Sequence, residues 1–330
     1  MTARPAPREA ARWRGADIER SSDWLVELDD GHVTELLAAV DAAHATGRGL
    51  RELTLADLPL PTLGPVLEAA LDDLLDGRGF VLLRGVPVGQ MSTERMEIAF
   101  WAIGQHLGIP IPQNDDGDVL VHVRDQGLDF ANPTVRGYQT SQQLDYHSDS
   151  TDVVGLLCRH PAKAGGVSTI VSSTEVHDEV DRRRPDLAAL LREPWWFDRR
   201  KGDTPDNFFT RRICAPHAGR LLTHYGRAHI ESAVRGPQVP PLTAQQVEAL
   251  DLFDEITNSP EFVLNMHFRP GDVQFLNNYL VLHARTDYED WPEPERKRDL
   301  LRLWLTVRRE LDLPDDFVHG GITARQAAFG

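Results

Sequence analysis

Leu144-Asp145-Tyr146-His147-Ser148-Asp149 puts an imidazole and a carboxylate two residues apart near the middle of a 330-residue chain. On an extended segment side chains alternate between faces, so His147 and Asp149 point the same way, with Cα atoms about 7 Å apart. Such a pair can grip one side of a divalent cation. A third ligand has to come from elsewhere, and the best candidate is His283, in Asn277-Asn278-Tyr279-Leu280-Val281-Leu282-His283-Ala284-Arg285-Thr286. Two imidazoles and one carboxylate on one face of an octahedron leave three positions open, an arrangement suited to non-haem Fe(II). A His-x-Asp alone is a weak signal, and most single histidines are hydrogen-bonded core or surface residues, so the surrounding sequence has to decide.

Downstream of the motif the chain reads as short strands. Val153-Val154-Gly155-Leu156-Leu157-Cys158 is an apolar run, followed by a turn at Pro161-Ala162-Lys163-Ala164-Gly165-Gly166 and the strand Val167-Ser168-Thr169-Ile170-Val171. Upstream, helical periodicity starts near Thr34, recurs from about Pro65 to a glycine stop at Gly77, and recurs again from Ser92 to Gly108. Between the last two helices Gly79-Phe80-Val81-Leu82-Leu83-Arg84-Gly85 has the pattern of a buried strand. Thr243-Ala244-Gln245-Gln246 is a capping box for a further helix through Leu250 and Phe253. The pattern predicts a mainly β protein with flanking helices. A flexible tail is expected over 1–20 and a single domain over 21–330, with a lid-like polar insertion at about 110–143 and a helical insertion at about 174–260.

Composition narrows the function. With 35 Lys and Arg against 51 Asp and Glu the formal net charge is −16. Such a surface repels phosphate backbones and anionic lipid, which argues against nucleic-acid and membrane partners. No apolar run approaches the roughly 20 residues that span a bilayer. The N-terminus lacks the apolar core of a secretory signal, so a cytoplasmic location is the default expectation. Cys158 sits in an apolar run and Cys214 has no obvious partner, so no disulfide framework is implied.

Near the C-terminus, Arg298-Asp299-Leu300-Leu301-Arg302-Leu303-Trp304-Leu305 reads as a strand with Arg298, Leu300, Arg302 and Trp304 on one face. Two arginines on an otherwise apolar face call for anionic partners, because an unpaired buried guanidinium is costly. Arginine's rigid fork matches a carboxylate.

In order, His147-Ser148-Asp149, Gly165-Gly166-Val167-Ser168-Thr169, Asn277-Asn278-Tyr279 leading to His283, and Arg298 with Arg302 resemble the pattern of the taurine dioxygenase and clavaminate synthase-like family of Fe(II)/2-oxoglutarate-dependent oxygenases. His283 follows His147 by 136 residues and Arg298 follows His283 by 15, spacings within the family's range, and the resemblance runs from about Gly79 to Leu305. It implies a double-stranded β-helix (jelly-roll) core. It implies further that His147, Asp149 and His283 bind Fe(II), and that Arg298 pairs with the distal carboxylate of the cosubstrate 2-oxoglutarate. A hydroxyl from Ser168 or Thr169 would assist; alternation lets only one face inward, and Ser168 is favoured. Arg302 would meet a substrate carboxylate or the cosubstrate.

The implied reaction consumes O2 and hydroxylates or desaturates an unactivated carbon of a small molecule, such as an amino acid or biosynthetic intermediate, with succinate and CO2 as co-products. Retention of Asp149 argues against halogenation. Tyr138, Gln139 and Gln143 are further candidates for the substrate pocket. Trp304 is expected in the core, and Trp195 and Trp196 as a lid or a loop anchor. His122, His224, His229 and the remaining histidines are expected to be structural. Two rivals stay open: a non-catalytic jelly-roll protein that holds metal or 2-oxoglutarate, and an oxygen-independent metal-dependent isomerase or hydrolase. A homo-oligomer is compatible with the sequence but is not indicated by it.

Overall fold

The structure, a computed structural model, describes residues 7–114, 116–128, 137–200 and 207–318. Two sheets form the double-stranded β-helix core, which is open rather than closed into a barrel. In the larger, Leu25–Glu27, Phe80–Arg84, Val273–Asn277, Val153–His160, Asp299–Thr306 and Ile109–Ile111 are hydrogen-bonded in that order, and Leu120–Val123 also pairs with Asp299–Thr306. The smaller runs Leu264–Met266, Ser168–Ser172, Val281–Arg285, Leu144–His147. All of these pairings are antiparallel except Leu25–Glu27 with Phe80–Arg84.

Alternation sorts the strand residues between two environments. Leu301, Leu303 and Leu305 point outward into a core shared with Leu67, Leu74, Met96 and Phe100 of the helices Leu63–Asp76 and Thr93–Leu107. The first of these helices buries Leu63, Leu67, Ala70, Leu71, Leu74 and Leu75, a stripe at helical spacing, and ends at Gly77. The second starts where the Ser92 side chain accepts from the Arg95 amide. The expected capping box at Thr243 opens the helix Ala244–Thr257. Between the sheets, Phe80, Val154 and Leu276 of the large sheet meet Ile170, Val281 and Leu264 of the small one. The inner residues Leu300, Arg302 and Trp304 lie opposite in phase to the outward leucines, as the alternation predicted.

Three expectations are revised. Within the supposed tail, residues 7–20 are docked, while 1–6 lie outside the described residues. Trp13 packs edge-on against Phe80 at 5.0 Å and its indole N–H donates to the Arg78 carbonyl at 2.9 Å. Arg14 Nε reaches Glu175 Oε1 at 2.8 Å, and the Gly15 amide donates to Phe262 O at 3.1 Å. Two apolar anchors, Ala11 and Trp13, suffice to bury a stretch whose arginines and prolines read as solvated. The second concerns 110–143, which is not all loop: Ile109–Ile111 and Leu120–Val123 pair with Asp299–Thr306. Residues 115 and 129–136 of that stretch lie outside the described residues.

The third concerns 174–260, which is not purely helical. Besides Ser173–Arg183, Pro185–Leu191, Arg227–Ala233 and Ala244–Thr257 it holds two hairpins, Pro194–Asp198 with Phe208–Arg212 and Cys214–His217 with Arg220–Thr223. This layer covers the outer face of the small sheet through Tyr146, Val171 and Leu282. Trp195 is buried in that core as part of a strand. Among the described residues no helix is long and apolar enough to cross a membrane.

Docking of the N-terminal segment is testable at Gly15, where a Cβ would lie 1.9 Å from the Val263 carbonyl oxygen. Gly15→Ala should cost about 1–3 kcal/mol through overpacking, read by urea denaturation. An unchanged midpoint would mean that the segment adds nothing to stability.

Candidate active site

Pairing of Val281–Arg285 with Leu144–His147 sets His283 directly opposite His147. Their ring centroids are 4.3 Å apart at an interplanar angle of 47°. Asp149 arrives by a different route from the one alternation predicted, since the strand ends at His147. The chain then bends. The Ser148 amide donates to Tyr225 O at 2.9 Å, the Tyr225 amide donates to Ser148 Oγ at 3.1 Å, and the Asp149 amide donates to Asn278 Oδ1 at 3.0 Å. These bonds swing the carboxylate between the imidazoles: Oδ1 is 4.0 Å from His147 Nε2 and Oδ2 is 3.9 Å from His283 Nε2. One potential ligand atom from each residue lies within 4.8 Å of the others.

Protonation favours ligation. His147 Nδ1–H donates to the Asp145 carbonyl at 2.8 Å, which leaves Nε2 as the lone-pair nitrogen facing Asp149. Burial, reinforced by His147, pushes the His283 imidazole down to about 3, so it is neutral. Burial alone would raise the Asp149 carboxyl. Arg302, both histidines and the Trp304 N–H outweigh it and hold the group below the usual carboxylate range. A neutral imidazole and an ionised carboxylate are the ligating forms. The donor set fits a divalent ion of the Fe(II) type.

Asp149 is also held by the last long strand. Trp304 Nε1 donates to Asp149 Oδ2 at 2.9 Å, so Trp304 orients this carboxylate and is not only the core residue expected. Arg302 Nη1 stands 3.9 Å from the same oxygen, its Nε donates to Gln113 Oε1 at 2.7 Å, and its guanidinium stacks over Tyr138 at 4.7 Å. Arg302, Trp304, Tyr138 and Gln143 line one cavity of about 250 Å³ with His147 and Asp149. Gln139 does not line it; its side chain donates to Gln126 Oε1 at 3.2 Å.

Arg298, Ser168 and Thr169 are not part of that cavity wall. Arg298 is buried, its guanidinium 5.0 Å from the Tyr288 ring centroid and its Nη1 without a hydrogen-bond partner. Gly166 makes room for it: φ is +66°, and a Cβ there would lie 3.1 Å from Arg298 Nε. Ser168 faces inward with Ile170, and its hydroxyl donates to Gln274 Oε1 at 3.2 Å. Thr169 turns to the outer face, the side on which Val171 and Tyr146 pack.

Several residues of the site escaped the sequence reading. Asn278 was visible in the stretch leading to His283, but nothing in an Asn-Asn pair says that one side-chain oxygen accepts a backbone amide 129 residues away. Gln113 sat in a polar segment and looked like any surface glutamine. Phe197, Phe209 and His229 also line the cavity, His229 with its Nδ1–H donating to Asp198 O at 2.8 Å. By contrast His122 is structural as expected: Asp299 at 2.8 Å and Glu97 at 3.3 Å push its imidazole up to about 9 and keep it charged.

Comparison with known proteins agrees with this geometry. The family model described as taurine catabolism dioxygenase TauD, TfdA family matches residues 46–304. FR-33289 synthase of Streptomyces rubellomurinus (strain ATCC 31215) is 31% identical over 310 residues, covering 92% of this chain and 91% of that protein. Taurine hydroxylase-like protein SAT17 of Stachybotrys chartarum (strain CBS 109288 / IBT 7711) is 29% identical over 304 residues, covering 88% and 77% respectively. Among solved structures, asparagine oxygenase in complex with Fe(II), 2S,3S-3-hydroxyasparagine and succinate superposes with a TM-score of 0.68 at 15% identity, covering 86% of this chain and 93% of that one. The non-haem iron oxygenase OrfP, in complex with Fe and alpha-ketoglutaric acid, gives 0.63 at 15% identity, covering 86% and 94%. At such identities these two show the shared fold.

The indole contact to Asp149 yields a direct test. Trp304→Phe keeps the ring and deletes the N–H donor, and loss of such an outer partner should weaken Fe(II) affinity by roughly tenfold or more. Anaerobic metal titration reads this out, and an unchanged affinity would remove Trp304 from the support of Asp149.

Proposed function

We propose that this chain, which belongs to the taurine catabolism dioxygenase TauD, TfdA family and is an Fe(II)/2-oxoglutarate-dependent oxygenase, hydroxylates an unactivated carbon of a small carboxylate-bearing molecule of the amino-acid class. The observation that carries the substrate class is Arg302. Its guanidinium opens onto the metal-facing cavity with one hydrogen bond, to Gln113, and one 3.9 Å contact to Asp149. A half-buried cation so placed attracts an anionic group on whatever fills the cavity, and its planar fork suits a carboxylate. Hydroxylated asparagine and arginine bound to the two structural neighbours support the same class.

The roles divide by position. His147, Asp149 and His283 hold the iron, while Asn278 anchors the Asp149 backbone amide and Trp304 fixes its carboxylate. Arg298 and the inward hydroxyl of Ser168 receive the distal carboxylate of 2-oxoglutarate. When bound, the iron with 2-oxoglutarate and O2 supplies the oxidising power for C–H cleavage, releasing succinate and CO2. The chain's own task is then placement and exclusion of water. Arg302 and the stacked Tyr138 hold the substrate's anionic end beside the metal, and Phe197 and Phe209 add apolar surface to the same cavity. Stacking on Tyr138 and Trp304 keeps the Arg302 fork from collapsing onto Asp149.

Two outcomes test this reading. Arg298→Ala should raise the 2-oxoglutarate requirement roughly ten- to a hundredfold, the equivalent of one lost charge-assisted pair, with Fe(II) binding intact; an unchanged requirement would move the cosubstrate's anion site elsewhere. With amino acids and related carboxylates as candidate substrates, mass spectrometry should find a product with one added oxygen rather than one lacking two hydrogens. Arg302→Gln should then lower that product relative to succinate formed, without loss of iron. Retained coupling would exclude Arg302 from substrate recognition.

A further inference from the structure

We infer that Arg285 is a second guanidinium for the distal carboxylate of 2-oxoglutarate, sharing that anion with Arg298 across the Tyr288 ring. The inference rests on the placement of Arg298 proposed above and extends it to a residue that neither the spacing nor the pattern singled out. Arg285 lies two residues beyond His283 on the same strand, so the two side chains share the inner face. One alternation along a strand is about 7 Å, a step a five-carbon diacid can bridge from the metal. In the pairing with Ser168–Ser172, Arg285 stands directly opposite Ser168, which brings the inward hydroxyl and the guanidinium side by side.

The two arginines flank one aromatic ring. The Arg285 guanidinium carbon is 4.9 Å and that of Arg298 5.0 Å from the Tyr288 centroid. Neither arginine makes an ion pair among the described residues. The nearest acidic groups act only at a distance, Asp125 on Arg285 and Asp290 on Arg298, and Asp290 Oδ1 already accepts the amides of Arg298 and Trp291. Arg285 Nη2 donates to the carbonyls of Thr140, at 2.8 Å, and Gln142. Its Nε and Nη1, with Arg298 Nη1, are buried and have no partner.

Buried unpaired donors are costly, so the bare nitrogens of Arg285 and Arg298 call for an acceptor. Two adjacent buried cations also repel each other. One carboxylate between them removes both problems. The carbonyls of Thr140 and Gln142 then act as the fixed side of the clamp, holding the Arg285 guanidinium in place before the anion arrives.

The test separates anion recognition from structure by using two keto acids. Fe(II)-loaded protein is titrated anaerobically with 2-oxoglutarate and, separately, with pyruvate, which chelates the metal alike but has no distal carboxylate. The visible absorption of the chelate reports binding, and Arg298→Gln serves as reference. Arg285→Gln should weaken 2-oxoglutarate roughly tenfold and leave pyruvate unchanged, with Arg285→Lys intermediate. Should Arg285→Gln not fold, Arg285→Lys carries the test, since one ammonium in place of the fork should still cost several-fold for 2-oxoglutarate alone. Equal weakening of both acids, or no change in either, overturns the role of Arg285. If Arg298→Gln shows no selective loss, or wild-type protein forms no chelate, the underlying placement of the cosubstrate fails, and this inference falls with it.

Discussion

The site depends on one strand pairing. Leu144–His147 and Val281–Arg285 are more than a hundred residues apart in sequence, yet their register decides whether two imidazoles face each other. A slip of one residue would turn His283 to the outer face, where Leu282 and Ala284 now pack against the helical layer. The register is held from both sides. Val281–Arg285 also pairs residue for residue with Ser168–Ser172, and the outward side chains of all three strands enter an apolar core. The metal centre therefore inherits its geometry from packing on the opposite face of the sheet.

Electrostatics inside the core runs against that of the surface. The chain is acidic overall, yet the space between the sheets holds Arg285, Arg298 and Arg302, with Asp149 the carboxylate that meets one of them. Buried guanidinium groups without counterions destabilise a folded chain, so the arrangement is understandable only if anions complete it. A dicarboxylate cosubstrate and an anionic substrate are ligands that would do so. Asp149 serves both sides of this balance: as a metal ligand it would offset part of the ion's charge, and through Oδ2 it tempers Arg302.

How much of this was legible in the sequence depended on whether local chemistry or distant contact decided the outcome. Helices with a clear apolar stripe, such as Leu63–Asp76, or a capping box, such as Ala244–Thr257, appeared where the pattern put them, although Gly77 ends the first at φ −108° and not in the expected left-handed conformation. The three candidate ligands do come together, but alternation explains only His147. Asp149 is positioned by a bend tied to Tyr225 and Asn278, contacts that no periodic pattern encodes. Of the hairpin strands between 194 and 223 the apolar one at 220–223 reads as a strand, whereas the others carry arginines and a proline that hide them; the docked N-terminal segment was hidden because its two buried apolar side chains are outnumbered by charged ones.

Arg285 shows where sequence reading stops. It stands in a stretch already singled out for His283, and strand alternation alone places it on the ligand face. What sequence could not supply was the state of its donors: one nitrogen taken by two carbonyls, two left bare, and a second arginine across the same tyrosine. A charged side chain acquires a functional reading only when its partners are counted, and the count requires coordinates. In this core the strand pattern says which residues face the ligand, and the unsatisfied donors say what charge the ligand has to bring.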